Sequence, residues 1–251
     1  MEPFSLTYNI FMIIHIVLVF VVIAVLRTKR KETARKVVLL IYFVLLAVLI
    51  IYKLLYPLDK EFMQDYATYW GPYTIFNELP LNPCNIVLLL IPFAILYNNR
   101  DLLSFCYYMG FLSPTLALVL PQIGYHGYSL FTLHMYGYYF CHFMGVAIPF
   151  FIYFLGIYKP CLKDVFRSSI VLTVIAFAVF GIDILLRITK VCPFSNYFYC
   201  MDPEGNPILE LFYKWIPVPG LYLISTLLIY VPFSILFTIP SIIKSRKEVN
   251  I

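Results

Sequence analysis

Charge is what this chain has least of. Only 12% of its 251 residues are Asp, Glu, Lys or Arg, about half of what a soluble globular domain carries. That shortage, with a hydrophobic fraction of 62% and a mean hydropathy of +0.87, excludes a water-soluble body. No stretch is left over for a soluble domain, and neither an internal repeat nor a low-complexity linker divides the sequence. Residues 1–251 therefore read as a single integral membrane domain. The first apolar stretch lacks a basic n-region and a small-residue cleavage site, so it is expected to stay as a true span. The six cysteines include no C-x-x-C pair, which argues against a thiolate zinc site. Neither a folded basic domain nor a stacking platform accompanies the basic run Arg27 to Lys36, so nucleic acid is not an expected partner. A topogenic loop touching anionic headgroups accounts for that run.

Apolar segments and aromatics are abundant. The 22 tyrosines, 23 phenylalanines and 17 prolines suit broken, interface-anchored helices. Runs able to cross about 30 Å of hydrocarbon recur near 8–26, 37–57, 83–99, 103–121, 131–157, 169–189 and 216–240. The predicted fold class is all-α: a polytopic membrane protein of about seven transmembrane helices. Lys and Arg collect on the cytoplasmic side of short loops. With the N-terminus outside and the C-terminus cytoplasmic, thirteen of the 18 Lys and Arg fall inside, leaving Lys53, Lys60, Arg187, Lys190 and Lys214 outside.

In that orientation Asn82-Pro83-Cys84-Asn85 opens the third span at the outer face. Asn82 is a good N-cap and Pro83 suits the first helical position. Cys84 then falls in the first turn, where unpaired N–H groups and the helix dipole favour a thiolate. The alternative is a small apolar filler, a common role of free Cys.

Span five carries His134, Tyr138, Cys141, His142 and Gly145 at helical spacing. A polar stripe inside a lipid-embedded helix faces protein or a water-filled cavity. His134 and His142 stand about 80° apart around the helix, His126 lies in the loop before it, and no carboxylate shares the span, so no metal site and no cofactor are expected. Counted inward from Phe131, His142 is about 16 Å down. Only about 20 residues are needed to cross, however, and counting back from Lys159 puts Tyr138 and Tyr139 at the interface. His142 is then roughly 5 Å below it, the depth expected of Cys84.

Asp183 and Arg187, four apart on span six, are the other ionisable pair at membrane depth. They either neutralise each other or act, Asp183 by orienting His142 and Arg187 by holding a lipid phosphate. Cys192 and Cys200 share the long outer segment, where an oxidising exterior permits a disulfide without the spacing deciding it. Cys106, Cys141 and Cys161 read as packing or inner-face residues.

These residues resemble a known family, that of transmembrane protein 164 and the YwaF-like bacterial membrane proteins. The likeness lies in Pro83-Cys84, in Tyr138-Tyr139-Phe140-Cys141-His142 with Pro149 downstream, and in Pro114 to Pro121 between them. It continues more loosely through Asp183, Asn196-Tyr197 and Trp215 to Tyr222. Bacterial relatives often carry His where Asn82 stands. The resemblance implies an acyltransferase that moves a fatty acyl chain from a phospholipid to a lysophospholipid, an ether lipid in the vertebrate member. Cys84 would be the nucleophile and His142 the general base, with N–H groups at Cys84 and Asn85, or the Asn85 amide, receiving the oxyanion, and Tyr138 and Asn82 positioning the pair.

Without the resemblance, a lipid-handling enzyme and a transporter for a small or lipidic molecule explain the residues about equally, since a polar cavity between broken helices also describes a carrier. A receptor or scaffold is the third class. The Phe, Tyr, Ile and Lys usage and the short loops point to a bacterial plasma membrane.

Overall fold

A computed structural model describes residues 4–120, 128–129 and 131–249. Among these there is no strand, and nine α-helices run in order: α1 Leu6–Arg27, α2 Lys31–Leu54, α3 Lys60–Trp70, α4 Pro83–Leu96, α5 Arg100–Val119, α6 Leu133–Phe154, α7 Leu162–Ile188, α8 Pro207–Trp215 and α9 Leu227–Val249. The protein is a polytopic all-α membrane protein.

Among the described residues six helical segments are long and apolar enough to cross a bilayer: α1, α2, α5, α6, α7 and Leu221–Lys244, which joins a 3₁₀ turn to α9. The seventh expected span is different. The apolar run covers 83–99, but α4 has only 14 residues, about 21 Å at 1.5 Å per residue. Its limits are set by local chemistry. Pro83 supplies the fixed φ of a first helical residue. At the other end Tyr97 closes the helix, Asn98 adopts a left-handed φ of 51°, and Asn99 Oδ1 accepts the Asp101 and Leu102 N–H groups to start α5. With Leu96 at one boundary of the hydrocarbon, the start of α4 stops about 9 Å short of the other. The remaining depth is taken by irregular chain at 71–82 and 192–206, which membrane-embedded backbone tolerates where it lines a cavity.

The basic loops meet on one face. The Arg35 guanidinium donates to the Ile95 carbonyl, and Arg100 forks onto the Asp164 carboxylate and reaches the Lys159 carbonyl. The opposite face carries α3 and α8, two short helices absent from the sequence reading, capped by Asp59 and Asn206 respectively.

Helices α5 and α6 pack closely because Gly145 lets them. A Cβ there would lie 2.7 Å from Pro114 Cγ, inside any normal contact. Helix α2 docks on α6 the same way, with a Gly137 Cβ only 2.6 Å from the Tyr52 ring.

Candidate active site

Helix α4 brings Cys84 to the wall of a cavity of ≈ 670 Å³. From across it, the α6 residue His142 places Nε2 3.2 Å from Cys84 Sγ. The other ring nitrogen, Nδ1, is 2.6 Å from the Tyr138 carbonyl one turn earlier. A carbonyl only accepts, so Nδ1 carries the proton and Nε2 of the neutral ring presents its lone pair to the thiol. Tyr138 is fixed in turn: its hydroxyl donates to the Ala117 carbonyl at 2.7 Å, and its ring lies 4.2 Å from the imidazole. Cys84 is half-buried and His142 is buried.

The start of α4 is unusual in its capping. Asn82 occupies the N-cap position but makes no side-chain cap; Oδ1 instead accepts the Phe198 N–H at 3.1 Å. The expected cap is thus diverted to hold the 192–206 segment. The N–H groups of Cys84 and Asn85, in the first turn of α4, consequently carry no capping side chain. Asn85 is buried and lines the same cavity.

Other polar residues divide between the cavity and the scaffold. His134 does not reach the cavity. Its Nδ1 pairs with Asp59 Oδ2 at 2.7 Å, and its ring stacks on Phe62 at 3.8 Å, clasping α3 to the start of α6. Burial pushes the Asp59 carboxyl up, but hydrogen bonds from His134 and from the Phe62 N–H outweigh it and leave the group below its ordinary value. Asp183 and Arg187 form no ion pair within 4 Å among the described residues. Asp183 accepts the Tyr197 N–H at 3.1 Å, and Arg187, which lines the cavity, donates to the Ser195 carbonyl at 2.7 Å. Both pin the 195–197 segment. The Tyr138 carbonyl, not Asp183, orients His142. Cys192 and Cys200 are free thiols, donating to Asn77 Oδ1 and the Ala176 carbonyl. His126 lies outside the described residues.

Sequence reasoning missed an ion pair. Lys53 Nζ lies 2.8 Å from Glu78 Oε2, with side chains only 13% and 11% exposed, and both line the cavity. Tyr66 donates to the other Glu78 oxygen at 2.6 Å. The available signal is a lysine at the apolar end of a span, Ile51-Tyr52-Lys53-Leu54, which charge counting alone assigns to the outer side.

The cavity is amphipathic. Its lining combines the ion pair, Asn82 and Arg187 with an apolar face of α5 that includes Met109, Leu112 and Leu116, and with Leu172 and Phe177 of α7. Among the described residues no group of three or more His, Cys, Asp or Glu converges to hold a metal.

The chain belongs to the TMEM164 family, whose model matches residues 3–238. No curated protein and no solved structure is similar enough to match it.

Proposed function

We propose that the protein is a membrane-embedded acyltransferase that moves a fatty acyl chain from a phospholipid to a lysophospholipid through a thioester on Cys84. The observation that carries this reading is the approach of His142 Nε2 to Cys84 Sγ, with Nδ1 tied to a backbone carbonyl. A thiol beside an imidazole whose tautomer is fixed is the arrangement that generates a nucleophile. The amphipathic cavity supports the substrate class, because an acyl ester joins a polar headgroup to an apolar chain. Its size lies within the range of small-molecule sites, and its depth suits a substrate drawn from the outer leaflet.

The chemistry balances with these residues alone. Cys84 gives its proton to His142 Nε2, and the thiolate adds to the ester carbonyl. The Cys84 and Asn85 N–H groups receive the developing oxyanion. Collapse breaks the bond to the glycerol oxygen, which takes the proton from Nε2 and leaves as the lysolipid. The hydroxyl of a second lysolipid then gives its proton to Nε2 and attacks the thioester, and Cys84 departs as the thiolate and is reprotonated. The Tyr138 carbonyl serves the imidazolium that forms in each step.

The test is mass spectrometry of purified protein after incubation with a phospholipid carrying a labelled acyl chain. Label on Cys84 that hydroxylamine removes, and that is absent from Cys84→Ala, is the expected result. Unlabelled Cys84 with lipid turnover unchanged in the variant would overturn it, and a transport assay would follow.

A further inference from the structure

The Lys53–Glu78 ion pair neither gives nor takes a proton in acyl transfer through Cys84. A lysine and a glutamate almost removed from water are costly to bury, and their retention is weak evidence for stability. Their placement is directional. Tyr52 seats its ring against Gly137 of α6, the residue before Tyr138, and Lys53 follows it into the cavity wall. The ammonium sits over the Tyr56 ring at 5.4 Å and is held from behind by Glu78, which Tyr66 fixes at its second oxygen. Lys53 lines the same cavity as Cys84 and His142, and its charge acts on both, whereas that of Glu78 acts on Tyr73 and Tyr197 of the 71–82 and 192–206 segments.

We propose that Lys53 is the electrostatic partner of the Cys84 thiolate, and that Glu78 sets the strength of its field by holding the ammonium against the cavity wall. The role rests on Cys84 being the nucleophile. When the sulfur gives its proton to His142, negative charge appears at Cys84 in a site of low dielectric, where a fixed cation matters more than in water. Lys53 positions charge and takes no proton. His142 of α6 stands beside the sulfur, and the cavity wall also carries Tyr138 of α6 and Tyr197, Tyr199, Asp202 and Glu204 of the 192–206 segment. Helix α7 adds Arg187 to the cavity wall, and α5 adds no ionisable side chain.

The two ends of the pair are expected to act with opposite sign. The rate of Cys84 alkylation by iodoacetamide, a neutral reagent that the site charge does not steer, reads thiolate formation directly. It is followed by mass spectrometry of the Cys84 peptide in the full chain. Glu78→Gln leaves the ammonium uncompensated and should speed alkylation. Lys53→Met leaves a carboxylate and should slow it by about tenfold, the order expected of one unit charge acting across a site of low effective dielectric. Lys53→Arg should keep the wild-type rate. Should Lys53→Met not fold, Glu78→Gln compared with the double variant Lys53→Met/Glu78→Gln isolates the lysine charge, and the double variant should be the slower. Rates that fall for both single variants, or the same rate for Glu78→Gln and the double variant, would overturn the proposal and reduce the pair to scaffold. Alkylation needs no lipid. The expected order of rates in a protein that never forms a labelled thioester would therefore sink acyl transfer while leaving the electrostatic role standing.

Discussion

His142 has two ring nitrogens and two different neighbours, and the division between them decides what the residue is fit to do. With Nδ1 donating to the Tyr138 carbonyl, only Nε2 is left for Cys84. In a water-exposed site a carboxylate commonly does this orienting; here, inside a lipid-embedded helix, a backbone carbonyl one turn away does it without burying another charge. Two substitutions separate the parts. Removing the imidazole by His142→Ala should lower acyl transfer by about 10²–10⁴-fold, the range for losing a general base, measured as lysolipid release from a labelled donor. Removing only the phenol oxygen by Tyr138→Phe loses the hydrogen bond to Ala117, about 1 kcal/mol, and keeps the carbonyl that fixes Nδ1. Thermal unfolding in detergent should shift slightly while Cys84 alkylation stays at the wild-type rate. A collapse of alkylation in Tyr138→Phe would mean that the phenol acts on the thiol directly.

The elements differ in how far the sequence announces them. Six long apolar helices are visible because hydrocarbon demands about 20 apolar residues in a row, and composition alone carries that signal. Helix α4 is visible at its start, through Asn82-Pro83, but the apolar run overstates its length because it does not show that Asn98 turns left-handed and that Asn99 caps the next helix. Helices α3 and α8 escape the sequence reading, since short amphipathic segments at an interface have neither the length of a span nor the polarity of a loop. His134 shows the same limit. The stripe on α6 does face protein, but helical spacing cannot say which partner each member meets. His134 meets Asp59, the cap of a helix absent from the sequence reading. Asp59→Ala should therefore remove a cap and leave a buried imidazole N–H unpaired, costing about 2–3 kcal/mol, whereas Asp59→Asn keeps an acceptor and should cost less. The native Asp59 carboxyl lies below its ordinary value, so its stabilisation is complete above the unfolded carboxyl range. It is lost as pH falls through the folded value, which lies below the ordinary carboxyl one. Thermal unfolding of the three forms at neutral and acid pH measures both effects. An Asp59→Ala protein as stable as wild type would show that α3 is held by its apolar contacts alone.

At the scale of the whole molecule, the shortness of α4 and the asymmetry of the loops describe one arrangement. The thiol opens toward the face built by α3, α8 and the outer segments, and the basic loops gather at the other. Two cysteines are half-buried, Cys84 and Cys161, and the remaining four are buried. Cys161 sits at the start of α7 beside Arg100, on the basic face. The pair is therefore a built-in test of orientation. The positive-inside rule puts the basic face in the cytoplasm, so a charged, membrane-impermeant methanethiosulfonate added to sealed right-side-out vesicles should modify Cys84 through the cavity and spare Cys161. Inverted vesicles should give the reverse, with Cys84→Ser and Cys161→Ser identifying each product by mass. Labelling of Cys84 from the cytoplasmic side alone would turn the protein over and move the acyl donor to the inner leaflet. Labelling from both sides in turn would indicate a cavity that changes its opening, the behaviour of a carrier rather than of an acyl-enzyme.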